Sequence, residues 1–239
     1  MISVVIPAFN EEQTVGDVVR GVQGAFRKIV GWGEPFEVIV VDSGSTDATA
    51  RVSQSAGATV LRRPHEGKGL AVRAGLASAR GDIIVLMDSD GQDIPAELPA
   101  LVKAFRTSGA DFVNGSRFLG TFRHEGISPV DRLGNRALTI LANLLCGSRL
   151  SDINASYRVI RRAAIRGITW DFAEFEVESE MILKASKAGL QILEVPVTRE
   201  RRLGGVRKFR KVRQGLRILR TILQVGLLWK PPESPDKRT

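Results

Sequence analysis

The stretch Asp82-Ile-Ile-Val-Leu-Met-Asp-Ser-Asp-Gly-Gln-Asp-Ile-Pro95 decides the fold class of this chain. Its apolar run, Ile83 to Met87, stops abruptly at Asp88, and Asp90, Gln92 and Asp93 follow at once. A short apolar run bounded by turn residues suits a strand buried on both faces, as in a parallel sheet flanked by helices. Open α/β sheets bind ligands beyond the carboxyl ends of their strands, which is where these carboxylates stand. Asp88 and Asp90, one residue apart, can aim two hard oxygen ligands at one divalent cation, with Gln92 or Asp93 near enough to complete a partly hydrated shell. The competing reading is a solvated acidic turn, because aspartate is a common turn residue.

The pattern recurs upstream. Ile2-Ser-Val-Val-Ile-Pro-Ala-Phe-Asn-Glu-Glu12 is an apolar strand entering a turn at Pro7 to Asn10. Apolar residues at near-helical spacing from Val15 to Ile29 predict a helix over 14–29, ended by Gly31, Gly33 and Pro35. A second apolar run, Phe36 to Val41, again terminates in an aspartate, Asp42, followed by Ser43-Gly-Ser-Thr-Asp47. Thr46 or Asp47 is expected to cap a helix through Ala56, with a third strand over 58–61. A helix over 67–79, the Asp88 strand, a helix over 95–105 and a strand over 110–115 follow. Strands alternating with helices argue for a mostly parallel α/β sheet with helices on both faces. No Gly-x-Gly-x-x-Gly follows the first strand, so the pyrophosphate turn of dinucleotide-binding folds is missing. Gly67-Lys68-Gly69 is not a P-loop, since Arg62 stands where its first glycine belongs and no Ser or Thr follows Lys68.

A chain of 239 residues, 43% hydrophobic, can bury a core as one large domain, or one domain plus an appendage. The lone Cys146 excludes an intramolecular disulfide and suits a reducing compartment. Ile2 to Ile6 is too short and lacks the basic flank of a secretory leader, and no apolar run reaches the roughly 20 residues of a spanning helix. The expectation is a cytoplasmic protein, peripheral to a membrane. Residues 201–232 hold ten Lys or Arg and no acid, while the other 25 basic residues balance 26 acidic ones. A nearly neutral body with one cationic segment points to an anionic surface or a phosphate-bearing partner rather than to nucleic acid. Val206, Phe209, Val212, Leu216, Leu219, Ile222 and Leu223 recur at three- and four-residue spacing. They predict an amphipathic helix from Val206 to Trp229 that lies on an anionic membrane surface, packs on the catalytic domain or binds a small membrane-protein subunit.

Six short motifs stand in register: Val4-Val-Ile-Pro-Ala-Phe-Asn-Glu11, Val40-Val-Asp-Ser-Gly-Ser-Thr-Asp47, Gly67-Lys-Gly69, Asp88-Ser-Asp-Gly-Gln92, Gly115-Ser-Arg117 and Glu194-Val-Pro196. Together, over residues 2 to 225, they resemble the family 2 glycosyltransferases of GT-A fold, in particular the dolichyl- and polyprenyl-phosphate sugar synthases. The resemblance implies a catalytic domain over 1–205 and a basic helix with a polar tail over 206–239. It implies that Asp42 contacts the base or ribose of a nucleotide-diphosphate sugar, with Pro7, Ala8, Asn10 and Glu11 around it and Lys68 near the phosphates. Asp88, Asp90 and Gln92 would hold Mg2+ or Mn2+ against the diphosphate, where a Lewis acid stabilises the departing charge.

Inverting sugar transfer passes through an oxocarbenium-like state. A hydroxyl acceptor needs a general base, whereas a phosphate acceptor is already ionised and needs cationic clamps. The second half offers Arg117, Arg132, Arg136, Arg201 and Arg202, and arginine pairs bidentately with phosphate oxygens. By resemblance Arg117, then Arg132, meets the acceptor phosphate of a polyprenyl lipid, with Arg201 and Arg202 assisting. Relatives read Asp-Thr-x-Ser-Gly-Phe-Arg where this chain has Asp152-Ile-Asn-Ala-Ser-Tyr-Arg158, so Asp152 is either a base for a hydroxyl acceptor or a holder of that loop. Glu178 or Glu180 faces the site or caps a helix. Gly204-Gly-Val-Arg-Lys208 keeps the family's glycines and lysine without its serines, and His65 and His124 read as exposed loop residues. The function expected is hexose transfer to polyprenyl phosphate. The alternatives are transfer to a soluble or lipid hydroxyl, and a non-catalytic nucleotide-sugar-binding protein.

Overall fold

The computed structural model describes residues 1–28, 34–120, 129–171, 173–200 and 211–232. Seven strands and seven α-helices appear among them: β1 Ile2–Ala8, α1 Val15–Lys28, β2 Phe36–Ser43, α2 Thr49–Ser55, β3 Thr59–Arg63, α3 Lys68–Ser78, β4 Ile83–Leu86, α4 Leu98–Ser108, β5 Phe112–Ser116, α5 Pro129–Cys146, β6 Arg158–Arg161, α6 Val177–Lys187, β7 Ile192–Pro196 and α7 Lys211–Leu223. The strands form one sheet in the order β3-β2-β1-β4-β6-β5-β7. Pairings are parallel except at β6, which runs antiparallel to both β4 and β5.

The central strands are apolar almost throughout because both of their faces are covered. Val4, Ile6, Val38, Val40 and Val85 point to one face, under α1 and α4. Val5, Ile39, Val41, Ile84 and Leu86 point to the other, under α3, α5, α6 and α7. That alternation is the two-residue period of a strand expressed on both sides at once. A Cβ placed at Gly75 of α3 would collide with the side chains of Val5 and Val41, so α3 lies flush on β1 and β2 only because that residue is glycine.

Element positions expected from the sequence agree with the fold within a few residues over the first 116 positions. The Asp47 carboxylate accepts the Thr49 N–H at 2.9 Å just ahead of α2, but the N-cap position is Ala48 and carries no side-chain cap hydrogen bond, so neither Thr46 nor Asp47 is the cap that was expected. The antiparallel entry of β6 was not foreseen, and it matters for the site. Pairing Leu86 with Arg158 brings the start of β6 to the carboxyl end of β4. The 152–158 segment thereby stands beside the carboxylates.

The C-terminal helix departs from its predicted single stripe. Ile218, Ile222 and Val225 are buried in the core with α5 and α6, while Leu216, Leu223, Leu227 and Leu228 are exposed. After α7 the chain continues in a wider π-helical turn over Gln224–Leu228. The Lys187 ammonium donates to the carbonyls of Val225 and Gly226, and Trp229, expected at a lipid interface, is half-buried with its ring 5.4 Å from Lys184 Nζ. Val206 and Phe209 lie outside the described residues. No helix among those described is long and apolar enough to cross a membrane.

Replacing Gly75 with valine should overpack the α3–sheet contact and cost about 1–3 kcal/mol. Gly134→Ala on α5, where an added Cβ meets nothing within 4 Å, is the matched control and should hold or slightly raise stability. Thermal unfolding of the two variants distinguishes close helix–sheet approach from a general intolerance of side chains at glycine positions.

Candidate active site

The ends of β1, β2 and β4 are laced into one shelf. Asn10 adopts φ 51°, tolerable for asparagine; its Oδ1 accepts the Thr46 N–H and its own N–H donates to Ser45 Oγ, both at 2.9 Å. Asp42, 4% exposed, accepts the Ser45 N–H at 3.0 Å. The Glu11 N–H donates to Thr49 Oγ1 at 2.8 Å, and Ser89 Oγ donates to the Pro7 carbonyl at 2.9 Å. Pro7, Ala8, Asn10, Glu11 and Asp42 thus share the carboxyl edge of β1 and β2, as the sequence implied. His65 is exposed as read, yet its ring stacks on Phe9 at 3.8 Å and its Nδ1 lies 3.1 Å from the Ser43 carbonyl.

At the end of β4 the carboxylates meet two half-buried cations. Lys68 Nζ donates to Asp88 Oδ1 at 2.6 Å and pairs with Glu178. Arg199 donates to Asp93 Oδ1 at 2.6 Å and to Gln92 Oε1 at 2.9 Å, and lies 3.8 Å from Asp88 Oδ2. Asp93 also accepts the Asp88 N–H and the Ser156 hydroxyl. Burial works to raise the Asp88 carboxyl, but the charges of Lys68 and Arg199 hold it at about 2. Burial works against the Lys68 ammonium, and Asp88 and Glu178 more than restore it, raising it well above the ordinary lysine value. Arg199 behaves alike among Asp93, Asp90 and Asp88.

Asp90, 8% exposed, is pushed up to about 6 by burial and then by the negative charge of Asp88 and Asp93, against the pull of Arg199. Its Oδ1 accepts the Gln92 N–H at 3.1 Å. Among the described residues no group of three or more His, Cys, Asp or Glu side chains is arranged to hold a metal ion. The Gln92 amide is engaged by Arg199 and by the Glu200 carbonyl. The chain thus offers two neighbouring carboxylates and an excess of negative charge at Asp90, which suits a cation taking the rest of its shell from phosphate and water.

A second cluster is built on Arg117, just past β5. Its Nε and Nη2 grip Asp152 bidentately at 2.7 and 2.8 Å, and its N–H donates to the same carboxylate at 3.2 Å. Asp152 is 1% exposed, and although burial opposes its ionisation, the Arg117 charge and hydrogen bonds hold it below the usual carboxylate range. Its Oδ1 also accepts the Asn154 N–H at 3.1 Å, a contact of the loop-holding kind, and the grip on Arg117 is one that neither sequence reading included. Glu194 of β7 accepts the Ser151 and Asp152 N–H groups, and Asn114 Nδ2 donates to both the Asp152 carbonyl and Glu194. Arg132 sits exposed on the first turns of α5, and Asn135, one turn on, accepts from Asn154 of the same loop at 2.9 Å. Arg136 is exposed on that helix, whereas Arg201, Arg202, His124 and the Gly204–Lys208 motif lie outside the described residues.

Two arginines escaped the sequence reading. Arg199 follows the Glu194-Val-Pro196 motif by three residues, and only the crossing of chain segments shows it bridging to Asp93. Arg158, 1% exposed, joins the two halves: Nε donates to Asn114 and Nη2 to the Ile153 carbonyl, both at 3.3 Å, and Nη1 has no protein partner. It lines a cavity of about 20 Å³ together with Pro7, Lys68, Asp88, Ser156 and Glu178, room for about one water molecule. Burial lowers this guanidinium to about 10, so it stays charged at neutral pH.

A carboxyl whose folded value near 6 exceeds its unfolded value near 4 stabilises the fold when protonated and loses that contribution as pH rises through about 4 to 6. Asp90→Asn should therefore stabilise the metal-free chain at pH 8 by roughly 2–3 kcal/mol, an advantage that shrinks toward pH 4. Denaturant midpoints at the two pH values check this, and equal effects at both would refute it.

Residues 3–169 match the family described as glycosyl transferase family 2. The dolichyl-phosphate hexose transferase of Haloferax volcanii is 30% identical over 203 residues, covering 85% of this chain and 84% of that protein. The low-salt glycan biosynthesis hexosyltransferase Agl6 of the same organism is 33% identical over 204 residues, and this chain spans about half of it, 48%. Among solved structures, glucosyl-3-phosphoglycerate synthase from Mycobacterium tuberculosis, in complex with Mn2+, UDP and glucosyl-3-phosphoglycerate, shares 25% identity and a TM-score of 0.70 over 98% of this chain and 81% of that one. The strand-end carboxylates, the mostly parallel sheet and the match across more than half of the sequence agree: this chain is a GT-A-fold glycosyltransferase and belongs to glycosyl transferase family 2.

Proposed function

We propose that the chain is an inverting, divalent-metal-dependent hexosyltransferase that moves sugar from a nucleotide-diphosphate donor to the phosphate of a polyprenyl lipid. The observation that carries this reading is the Arg117–Asp152 pair. The carboxylate on the acceptor side is bound at both oxygens and held in its ionised form, which makes it a poor base for a hydroxyl. The same pair fixes a planar guanidinium whose remaining N–H donors suit a phosphate oxygen. An acceptor that arrives ionised needs that cation and no base.

On the donor side, Asp42 with Pro7, Ala8, Asn10 and Glu11 forms the nucleoside shelf, and Lys68 lies at the diphosphate. Mg2+ or Mn2+ held by Asp88 and Asp90 would offset charge on the departing nucleoside diphosphate, and the mycobacterial relative was solved with Mn2+ and UDP. Gln92 and Arg199 keep those carboxylates in place. Arg132 is exposed on α5 and would offer a second cation to the acceptor phosphate, and Arg201 and Arg202 are assigned to it by resemblance alone. The chemistry rests on residues 1–205, the α7 segment packs into the same core as α5 and α6 rather than standing apart, and the protein works peripherally on the cytoplasmic face of a membrane.

A second reading has one observation behind it: the likeness to a synthase solved in complex with glucosyl-3-phosphoglycerate. Under it the acceptor is a soluble hydroxyl compound that carries a phosphate. A non-catalytic sugar-nucleotide-binding role is the third, and measured turnover excludes it.

Purified chain, Mg2+ or Mn2+, a panel of labelled sugar nucleotides and a short polyprenyl phosphate should place label in the organic phase. Label appearing only on 3-phosphoglycerate selects the second reading, and no transfer from any donor overturns both. Arg117→Lys, which loses the bidentate fork, should lower kcat/KM for the acceptor roughly 10–100-fold. The donor KM should move little.

A further inference from the structure

We propose that α5 and α7 together form a face that seats on an anionic lipid bilayer. The exposed large apolar side chains of the described residues are concentrated there. On α5 they are Val130, Leu133, Ile140 and Leu144, 53–78% exposed, in one stripe along its length. On α7 and the turn after it they are Leu216, Leu223, Leu227 and Leu228, 40–75% exposed. Outside these two elements only Leu119 joins the set.

The two stripes are neighbours. A Cβ on Gly226 would lie 2.7 Å from Leu145 Cβ, so the end of α5 and the turn after α7 touch where Leu144 and Leu227 emerge. The opposite sides of the same helices are already used, with Thr139 and Ala142 of α5 and Ile218 and Ile222 of α7 buried. An 18-residue helix is roughly 27 Å long, and a soluble monomer seldom displays an apolar strip on that scale.

Charge selects the occupant. Arg132 and Arg136 on α5, Arg149 beyond it, Arg213 and Arg220 on α7 and Lys230 after it are all exposed, whereas Asp131 is the single acidic residue of the two helices. A second copy docking by this face would set those arginines against one another. An anionic leaflet instead attracts each by about 1 kcal/mol while its acyl region takes the leucines. The face also adjoins the acceptor side through the Asn135–Asn154 hydrogen bond. A polyprenyl tail could stay in the bilayer with its phosphate near Arg117, and this last link rests on the proposed acceptor.

The experiment is sedimentation of the full chain with acceptor-free vesicles of phosphatidylglycerol and phosphatidylcholine, beside pure phosphatidylcholine vesicles. The chain should pellet with the anionic vesicles and be released in large part by 1 M salt. Leu133→Ser/Leu144→Ser and, separately, Leu216→Ser/Leu227→Ser should each weaken partitioning about tenfold or more, with thermal unfolding unchanged because the side chains are exposed. Binding of the α5 pair at the wild-type level removes α5 from the face and overturns the proposal. So does failure of the intact chain to bind anionic vesicles, whether it dimerises through these leucines or pellets only with protein-containing membranes. Transfer to detergent-dispersed polyprenyl phosphate separates the two ideas: activity without vesicle binding sinks this surface alone, and vesicle binding without transfer sinks only the acceptor reading.

Discussion

Four carboxylates, Asp88, Asp90, Asp93 and Glu178, are crowded at the end of one strand with little access to water. Burying that much like charge would be prohibitive without partners. Lys68 and Arg199 supply them, and Arg158 stands beneath. The arrangement is lopsided: Asp88 is held ionised between two cations, while Asp90 retains a carboxyl raised to about 6. A constellation that destabilises its own resting state is what a site for a cation and a diphosphate requires, because the ligands then complete a charge balance that the chain leaves open.

The second constraint is directional. Six strands run so that their carboxyl ends converge, and β6 alone is reversed. A parallel strand at that place would have delivered its final residues to the site and sent its leading loop to the far edge. Reversal brings the leading loop instead, so Asp152, Asn154, Ser156 and Arg158 reach the same edge as Asp88 and Arg117. The β4-end carboxylates and the Arg117 cluster are then joined by side chains: Ser156 bonds Asp93, and Arg158 bonds Asn114, which bonds Glu194 and the Asp152 carbonyl. The small cavity behind Asp88 with an unpartnered Arg158 nitrogen is where a single buried water would complete this joint.

Much of the first half was legible because each of its signals is local. An apolar run that stops at an aspartate states its own strand, its end and its side of the sheet, and Asp47 bonds the Thr49 N–H only two residues on, although Asn10 reaches Ser45 and Thr46 across 35 and 36 residues. The rest of the site depends on contacts that cross the chain, 35 residues from Arg117 to Asp152 and 106 from Arg199 to Asp93. No spacing rule encodes those. Asp152 shows the limit well: the residues around it allowed either a base or a support of its loop, and its bidentate pairing with Arg117 across 35 residues is in neither reading.

The C-terminal helix shows a different limit, set by periodicity itself. Successive helical residues turn about 100°, so Leu216 and Ile218 stand roughly 200° apart, on nearly opposite sides. Leu216, Leu223 and Leu227 follow one line, and Ile218, Ile222 and Val225 another. In a sequence rich in leucine and isoleucine the two lines merge into one broad apolar signal, and the expected single stripe mixed Leu216 and Leu223 of the outer line with Ile222 of the inner one while leaving out Ile218 and Val225. Once one line is committed to α5 and α6, the other is left outward between Arg213 and Arg220, alongside an equivalent surplus on α5. A helix with a filled inner face and an apolar outer face carries more hydrophobic surface than its own fold can use, and the exposed arginines around it specify the chemistry of whatever covers it.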